Sequence, residues 1–129
     1  MSLLLDTNIL IRFLEEESDR LSAHMLDAIH ESPGEVMVSV ASLWEIALKT
    51  RTGKLPLKKE LHRIPGTIGE LGMSLLPINH RHALVELQEN PATRDPFDRL
   101  LLAQCQIEGL RLVTIDRALV IHPLAWRAP

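Results

Sequence analysis

Short strands alternating with helices along this chain predict an α/β protein, a three-layer α/β/α sandwich around a central parallel sheet of about five strands. Two observations carry that prediction. Apolar runs of strand length, such as Leu3-Leu4-Leu5 and Val36-Met37-Val38, stop abruptly at polar residues, as strands buried on both faces do. Between them lie stretches with apolar residues at helical spacing, several closed by Gly or Pro-Gly.

The first strand, Leu3–Leu5, opens onto Asp6-Thr7-Asn8, and the helix that follows places Leu10, Phe13 and Leu14 on one face. A second helix is expected from Ser18 to Ser32, where Leu21, Met25 and Ile29 recur every four residues before Pro33-Gly34 ends it. Val36–Val40 is the second strand and leads into a helix over Ser42–Lys49. In residues 54–72, Leu57–Ile64 reads as helical, and Pro65-Gly66 is expected to interrupt it before Thr67–Leu71 resumes. Leu75–Ile78 is a short strand, His80–Gln88 a helix and Glu89–Asp95 a polar loop. Asp95-Pro96-Phe97-Asp98 then starts a helix, with Asp as cap and Pro in the first turn, and Gly109 stops it. Arg111–Thr114 is a strand, and a last short one is expected at Val120-Ile121. No repeat, low-complexity tract or linker divides the chain, so a single domain over 1–129 is expected.

Composition narrows the functional classes. Hydrophobic residues make up 46% of 129, with two Phe, two Trp and no Tyr, so the core is mainly aliphatic. No stretch approaches the ~18 apolar residues of a membrane span, and no basic-then-apolar leader opens the chain, so a cytoplasmic protein is expected. The single Cys105 forms no internal disulfide and no cysteine metal cluster. A net charge of −3 does not announce a nucleic-acid binder, and local clustering matters more.

Four acids stand where such a fold puts its chemistry. Asp6 and Asp116 follow apolar strands, and Glu45 and Asp98 are expected in the first turn of a helix. In a parallel sheet with right-handed crossovers, strand ends and the starts of the next helices share one rim. Crowded carboxylates take up protons or bind a cation, and oxygen donors without Cys or paired His favour Mg²⁺ or Mn²⁺ over zinc. A cation so held serves phosphoryl chemistry. Each acid also has a plainer explanation. Ser42 and Glu45 have capping-box spacing, Asp98 meets a helix dipole, Asp116 can begin a turn, and Asp6 can cap a helix that begins at once. Thr7 and Asn8 either orient the carboxylates or only satisfy backbone groups at the strand end.

Leu-Leu-Leu-Asp-Thr-Asn near the start, Ser-Val-Ala-Ser-Leu-Trp-Glu-Ile-Ala-Leu-Lys with Gly-Lys-Leu shortly after, Asp-Pro-Phe-Asp-Arg-Leu-Leu-Leu-Ala-Gln, and Leu-Val-Thr-Ile-Asp resemble the PIN-domain ribonucleases. The likeness is greatest to the VapC-type toxins of bacterial toxin/antitoxin pairs and runs nearly end to end. It implies an acidic site on Asp6, Glu45, Asp98 and Asp116, with Asp6 and Asp98 holding Mg²⁺ or Mn²⁺ directly and Glu45 and Asp116 through water. It also implies endoribonuclease activity by metal-activated water, a homodimer, and a cognate antitoxin whose tail covers the site. Relatives often carry His where Thr93 or Arg94 stands, and a longer helix where this chain has Pro65-Gly66. Both departures bear on substrate choice.

RNA needs a positive approach path. Between Lys49 and Arg63 stand six basic residues, Lys49, Arg51, Lys54, Lys58, Lys59 and Arg63, against the single acid Glu60. Arg12, Arg94, Arg99 and Arg117 lie close in sequence to the acids and are further candidates for phosphate contact. A solvated charged face is the plainer reading of the run. Two rival functions stand beside the ribonuclease: a metal-dependent phosphatase with Asp6 as nucleophile, which lacks the usual second Asp because Asn8 is there, and a binding module with relict acids.

Overall fold

A computed structural model describes residues 2–129. Its centre is a sheet of four parallel strands in the order β3-β2-β1-β4, with β1 at Leu3–Leu5, β2 at Val36–Ser39, β3 at Ser74–Leu76 and β4 at Arg111–Val113. Six α-helices flank it to make three layers: α1 Thr7–Leu14, α2 Ala23–His30, α3 Val40–Arg51, α4 Ile64–Glu70, α5 His80–Leu84 and α6 Pro96–Glu108. Short 3₁₀ turns cover Ser18–Arg20 and Leu61–Arg63.

The β1 run explains why the sheet is central. Leu3, Leu4 and Leu5 pair with Val36, Met37 and Val38 on one side and with Arg111, Leu112 and Val113 on the other. Side chains alternate between faces. Leu3 and Leu5 therefore enter one core with Ile9, Leu10, Met25, Ile29 and Ile68, while Leu4 enters a second with Leu101, Leu102, Cys105 and Leu112. Both faces are dry, so the run carries no polar residue. Burial of each of these leucines favours folding by roughly 1.5–3 kcal/mol.

Four expectations are corrected. Val120-Ile121 is not a strand: Asp116 starts a turn that receives the backbone N–H groups of Leu119 and Val120, at 3.0 and 2.9 Å, and curls the chain before it can extend. The sheet thus has four strands, and only an isolated bridge between Leu112 and Ala125 extends it. Pro65 does not interrupt a helix but lies in the first turn of α4, where its missing N–H costs nothing, and Leu57–Glu60 is not helical. The Ser18–Ser32 helix is shorter, a 3₁₀ turn followed by α2, whose cap Ser22 accepts from the N–H of Met25. The His80–Gln88 helix likewise ends at Leu84, with Val85 extended.

The chain builds outward from β1 through β2 to β3, then crosses back to lay β4 on the other side of β1. The strand order reverses there. In such sheets the crevice beyond the carboxyl ends at the reversal is where ligands bind.

Candidate active site

Asp6 sits at that reversal. Its backbone N–H donates to Val113 O at 2.9 Å, joining the ends of β1 and β4. The helix does begin at once, and Asp6 is its cap, with Oδ1 accepting from the N–H of Thr7 at 2.8 Å. Capping accounts for one oxygen only. Oδ2 accepts from the Thr114 hydroxyl at 2.7 Å, 108 residues away, while that hydroxyl accepts from the N–H of Asp116 at 3.0 Å. Asp6 is 4% exposed, and burial, with smaller contributions from the charges of Glu45 and Asp116, raises its pKa against the lowering effect of the Thr114 and Thr7 hydrogen bonds.

Glu45 comes to the same place from α3, and here the sequence expectation needs correction. The helix starts at Val40, capped by Ser39, whose Oγ accepts from the N–H of Ala41 at 3.0 Å. Glu45 is consequently in the second turn, and Ser42 and Glu45 form no capping box. Ser42 lies instead 2.9 Å from the Thr7 hydroxyl, which stands 2.8 Å from Glu45 Oε1. One hydroxyl has one proton, so Thr7 donates to the carboxylate and accepts from Ser42. Glu45 Oε2 accepts from Lys49 Nζ at 2.6 Å. That hydrogen bond is the main cause holding the Lys49 pKa above its ordinary value, with the charges of Glu45, Asp95 and Asp98 adding to it.

Asp98 lies in the first turn of α6, below the cap Asp95, whose Oδ1 accepts from the N–H of Phe97 at 2.9 Å. Its pKa is raised to about 7, first by burial and then by the charges of Asp95 and Asp6, against a Thr93 hydrogen bond that lowers it. Asp116 is half-buried, and its Oδ1 accepts from the N–H of Ala118 at 2.8 Å. Its charge contributes to raising both Asp6 and Asp98.

The structure thus places Asp6, Glu45, Asp98 and Asp116 within electrostatic reach at one rim, with Thr7 among them. Asn8 is exposed, and no described residue hydrogen-bonds its side chain. Arg12 is drawn to Glu17 at 3.0 Å, and Arg99 donates to Asn90 Oδ1 at 3.2 Å. Among the described residues, Arg51, Lys54, Arg94 and Arg117 are exposed and enter no ion pair. Sequence reasoning missed Thr114, Thr93 and the contact of Ser42 with Thr7, and it read Lys49 as a candidate RNA contact, whereas its ammonium is bonded to Glu45. A Thr two residues before an Asp at a strand end, and Glu and Lys four apart on a helix, were the available signals.

Among the described residues, no three His, Cys, Asp or Glu side chains are gathered closely enough to enclose an ion as they stand. The donor chemistry does fit a hard divalent cation. All the donors are carboxylate oxygens, and the pKa values of Asp6 and Asp98 are raised first by burial and then by neighbouring acids, both of which a bound cation would offset.

Parallel strands, a reversal at β1 and buried acids on the carboxyl rim define the class: a three-layer α/β/α protein with acids brought together at the sheet's end. The chain belongs to the PIN domain family, whose profile matches residues 3–121. PIN domains are generally metal-dependent nucleases and usually use divalent metals. No curated protein matches the chain. Among the described residues, no helix is long and apolar enough to cross a membrane.

Proposed function

We propose that this chain is an endoribonuclease dependent on Mg²⁺ or Mn²⁺ and the toxin of a toxin/antitoxin pair, acting in the cytoplasm as a homodimer. The observation that carries the enzymatic reading is the pair Asp6 and Asp98, two buried carboxylates of raised pKa beside the strand-order reversal. Asp6 and Asp98 would hold the cation, with Asp116 close by. When bound, the cation supplies the charge that lowers the pKa of water and stabilises phosphate oxygens. The chain's own residues set the geometry: Thr114 and the N–H of Thr7 fix the two oxygens of Asp6, and Thr93 holds Asp98. Asn8 stands where a phosphatase would carry its second Asp, and no observation favours that reading.

RNA is the substrate class that the exposed cations support. Among the described residues, Arg51, Lys54, Lys58, Lys59 and Arg63 enter no ion pair, which leaves their charge available to a phosphate backbone. Arg94 and Arg117 add charge beside the acids. For the antitoxin, the surface on offer is the α3 stripe Val40, Trp44 and Leu48, exposed at four-residue spacing, with Trp44 edge-on to Phe97 at 5.5 Å. Phe13 on α1 packs against the core instead. An antitoxin segment laid on this stripe would place an Arg among the acids, since a guanidinium bridges carboxylates well.

Incubating the chain with bulk RNA in Mg²⁺, with and without EDTA, tests the proposal. Cleavage should require the cation and leave 5′-phosphate and 3′-hydroxyl ends. Cyclic 2′,3′-phosphate ends would overturn the mechanism, because they require attack by the 2′-hydroxyl.

A further inference from the structure

We infer that the cleft between the loops of residues 89–92 and 118–123 is a nucleobase pocket that reads guanine. In it the Glu89 carboxylate accepts from the N1–H and N2–H groups of the base, and the Asn90 amide donates to its O6. The inference rests on the RNA reading above and deepens it by naming a base. The cleft encloses about 260 Å³, with Pro91, Ala118, Ile121 and Pro123 among its apolar walls and Glu89 and Asn90 among its polar groups. Pockets for drug-sized ligands run to roughly 300–1,000 Å³, so this smaller one suits a single flat base.

Both walls are fixed, and both lead directly to the rim. Ala118 donates its backbone N–H to Asp116 Oδ1 at 2.8 Å, and Thr93, three residues after Asn90, hydrogen-bonds Asp98. The buried His122 joins the two loops. Its Nδ1 accepts from the N–H of Leu124 at 3.1 Å, which leaves Nε2–H to donate to Glu89 O at 2.8 Å. Gln106 on α6 anchors the approach to Glu89, accepting from the N–H of Gln88 at 3.0 Å and donating to Glu86 O at 3.1 Å. The cleft is therefore formed before a base arrives.

Its free polar groups select the base. Among the described residues, the exposed Glu89 carboxylate enters no ion pair or hydrogen bond. Asn90 Oδ1 accepts from Arg99 at 3.2 Å, which leaves the amide N–H groups of Asn90 to donate outward. A carboxylate only accepts. Guanine alone of the four bases presents two adjacent N–H donors beside an acceptor on its Watson–Crick edge. Adenine and cytosine set one amino group next to a bare ring nitrogen, which a carboxylate repels, and uracil flanks one N–H with two carbonyls. Single-stranded RNA can splay out a base and offer that edge.

The test is fluorescence anisotropy in EDTA, so that no strand is cut, with labelled pentanucleotides of uridine carrying G, A, C, U or inosine at the centre. Wild type should bind the guanine strand at least about tenfold tighter than those with A, C or U, as a site built for specific hydrogen bonds does. Inosine lacks the 2-amino group and should lose most of that preference. Glu89→Gln and Asn90→Asp should each bind all five strands alike, the latter because it keeps the acceptor for Arg99 and removes the donor for O6. Glu86→Gln, at an exposed acid outside the cleft, should keep the preference.

Equal binding of the strands by wild type, or none, would overturn the inference, as would a preference that survives Glu89→Gln. Loss of the preference in Glu86→Gln as well would make it an effect of overall charge and also overturn it. If bulk RNA is not cut in Mg²⁺ yet the guanine strand prevails, the nuclease reading falls and the guanine cleft stands. If RNA is cut and the strands bind alike, only the inference falls.

Discussion

The protein buries two polar clusters of opposite character. Between α5 and α6, His82 is enclosed with every ring nitrogen matched: Nδ1 accepts from the N–H of Asn79 at 3.1 Å, which leaves Nε2–H to donate to Glu108 at 2.7 Å. Asn79 in turn caps α5 through the N–H groups of Arg81 and His82. Each donor there meets an acceptor. At the carboxyl rim, by contrast, acids lie within electrostatic reach of one another, and among the described residues only Glu45 of Asp6, Glu45, Asp98 and Asp116 has a cationic partner. The His82 cluster ties α5 to α6 through matched donors and acceptors, with only the neighbouring Gln104 Oε1 lacking a partner among its described atoms. The rim leaves Asp6, Asp98 and Asp116 without a cationic partner among the described residues, and on the proposed reading a bound cation completes it.

Breaking the rim should give the largest effect. Asp6→Asn or Asp98→Asn should lower Mg²⁺-dependent RNA cleavage by at least about a hundredfold with the fold intact by circular dichroism, since each removes a charge that binds the cation. His82→Leu should do the reverse. It strips partners from the Asn79 N–H and Glu108, and should destabilise the protein by about 2–4 kcal/mol in denaturant unfolding while leaving the Mg²⁺-induced shift in melting temperature unchanged.

The pH dependence of the metal-free protein sharpens the same contrast. The folded state holds the Asp98 proton up to about pH 7, whereas an ordinary aspartate releases it near 3.8. The folded state therefore binds more protons within that window, so stability should be present at acid pH and fall as pH rises from about 4 to about 7. Asp6, also raised, acts in the same direction. Melts in EDTA across this range should show the decline in wild type and a flatter profile in Asp98→Asn. The smallest effect should come from the basic segment. Lys54→Gln with Lys58→Gln should weaken binding of single-stranded RNA and reduce its salt slope by about 0.7 for each phosphate that is no longer neutralised, with kcat nearly constant.

What was legible in the sequence was local. Leu3–Leu5 ending in Asp6, and Asp95-Pro96 opening α6, announce themselves because strand burial and helix capping are written within a few residues. The start of α3 was misplaced because Ser39 and Ser42 both suit a cap, and only the folded backbone shows which one accepts the N–H of Ala41. Thr114 was missed for a different reason: it reaches Asp6 across 108 residues, so no sequence window contains the pair, and Thr7, though named as an orienting residue, gave no sign that its partner is Glu45, 38 residues away. Val120-Ile121 is apolar enough for a strand, but the turn set by Asp116 takes precedence.

The central claim, that the rim acids form one cation site and not four separate caps, is tested most directly by thermal melts of wild type and Asp98→Asn in EDTA and in millimolar Mg²⁺. Wild type should gain stability from Mg²⁺, which binds only the folded state. Asp98→Asn should lose most of that gain, yet in EDTA it should be as stable as wild type or more stable by about 1 kcal/mol, because one uncancelled charge is gone. A variant less stable in EDTA and Mg²⁺ alike, with the Mg²⁺ shift intact, would show Asp98 to be only a first-turn helix residue and would contradict the account.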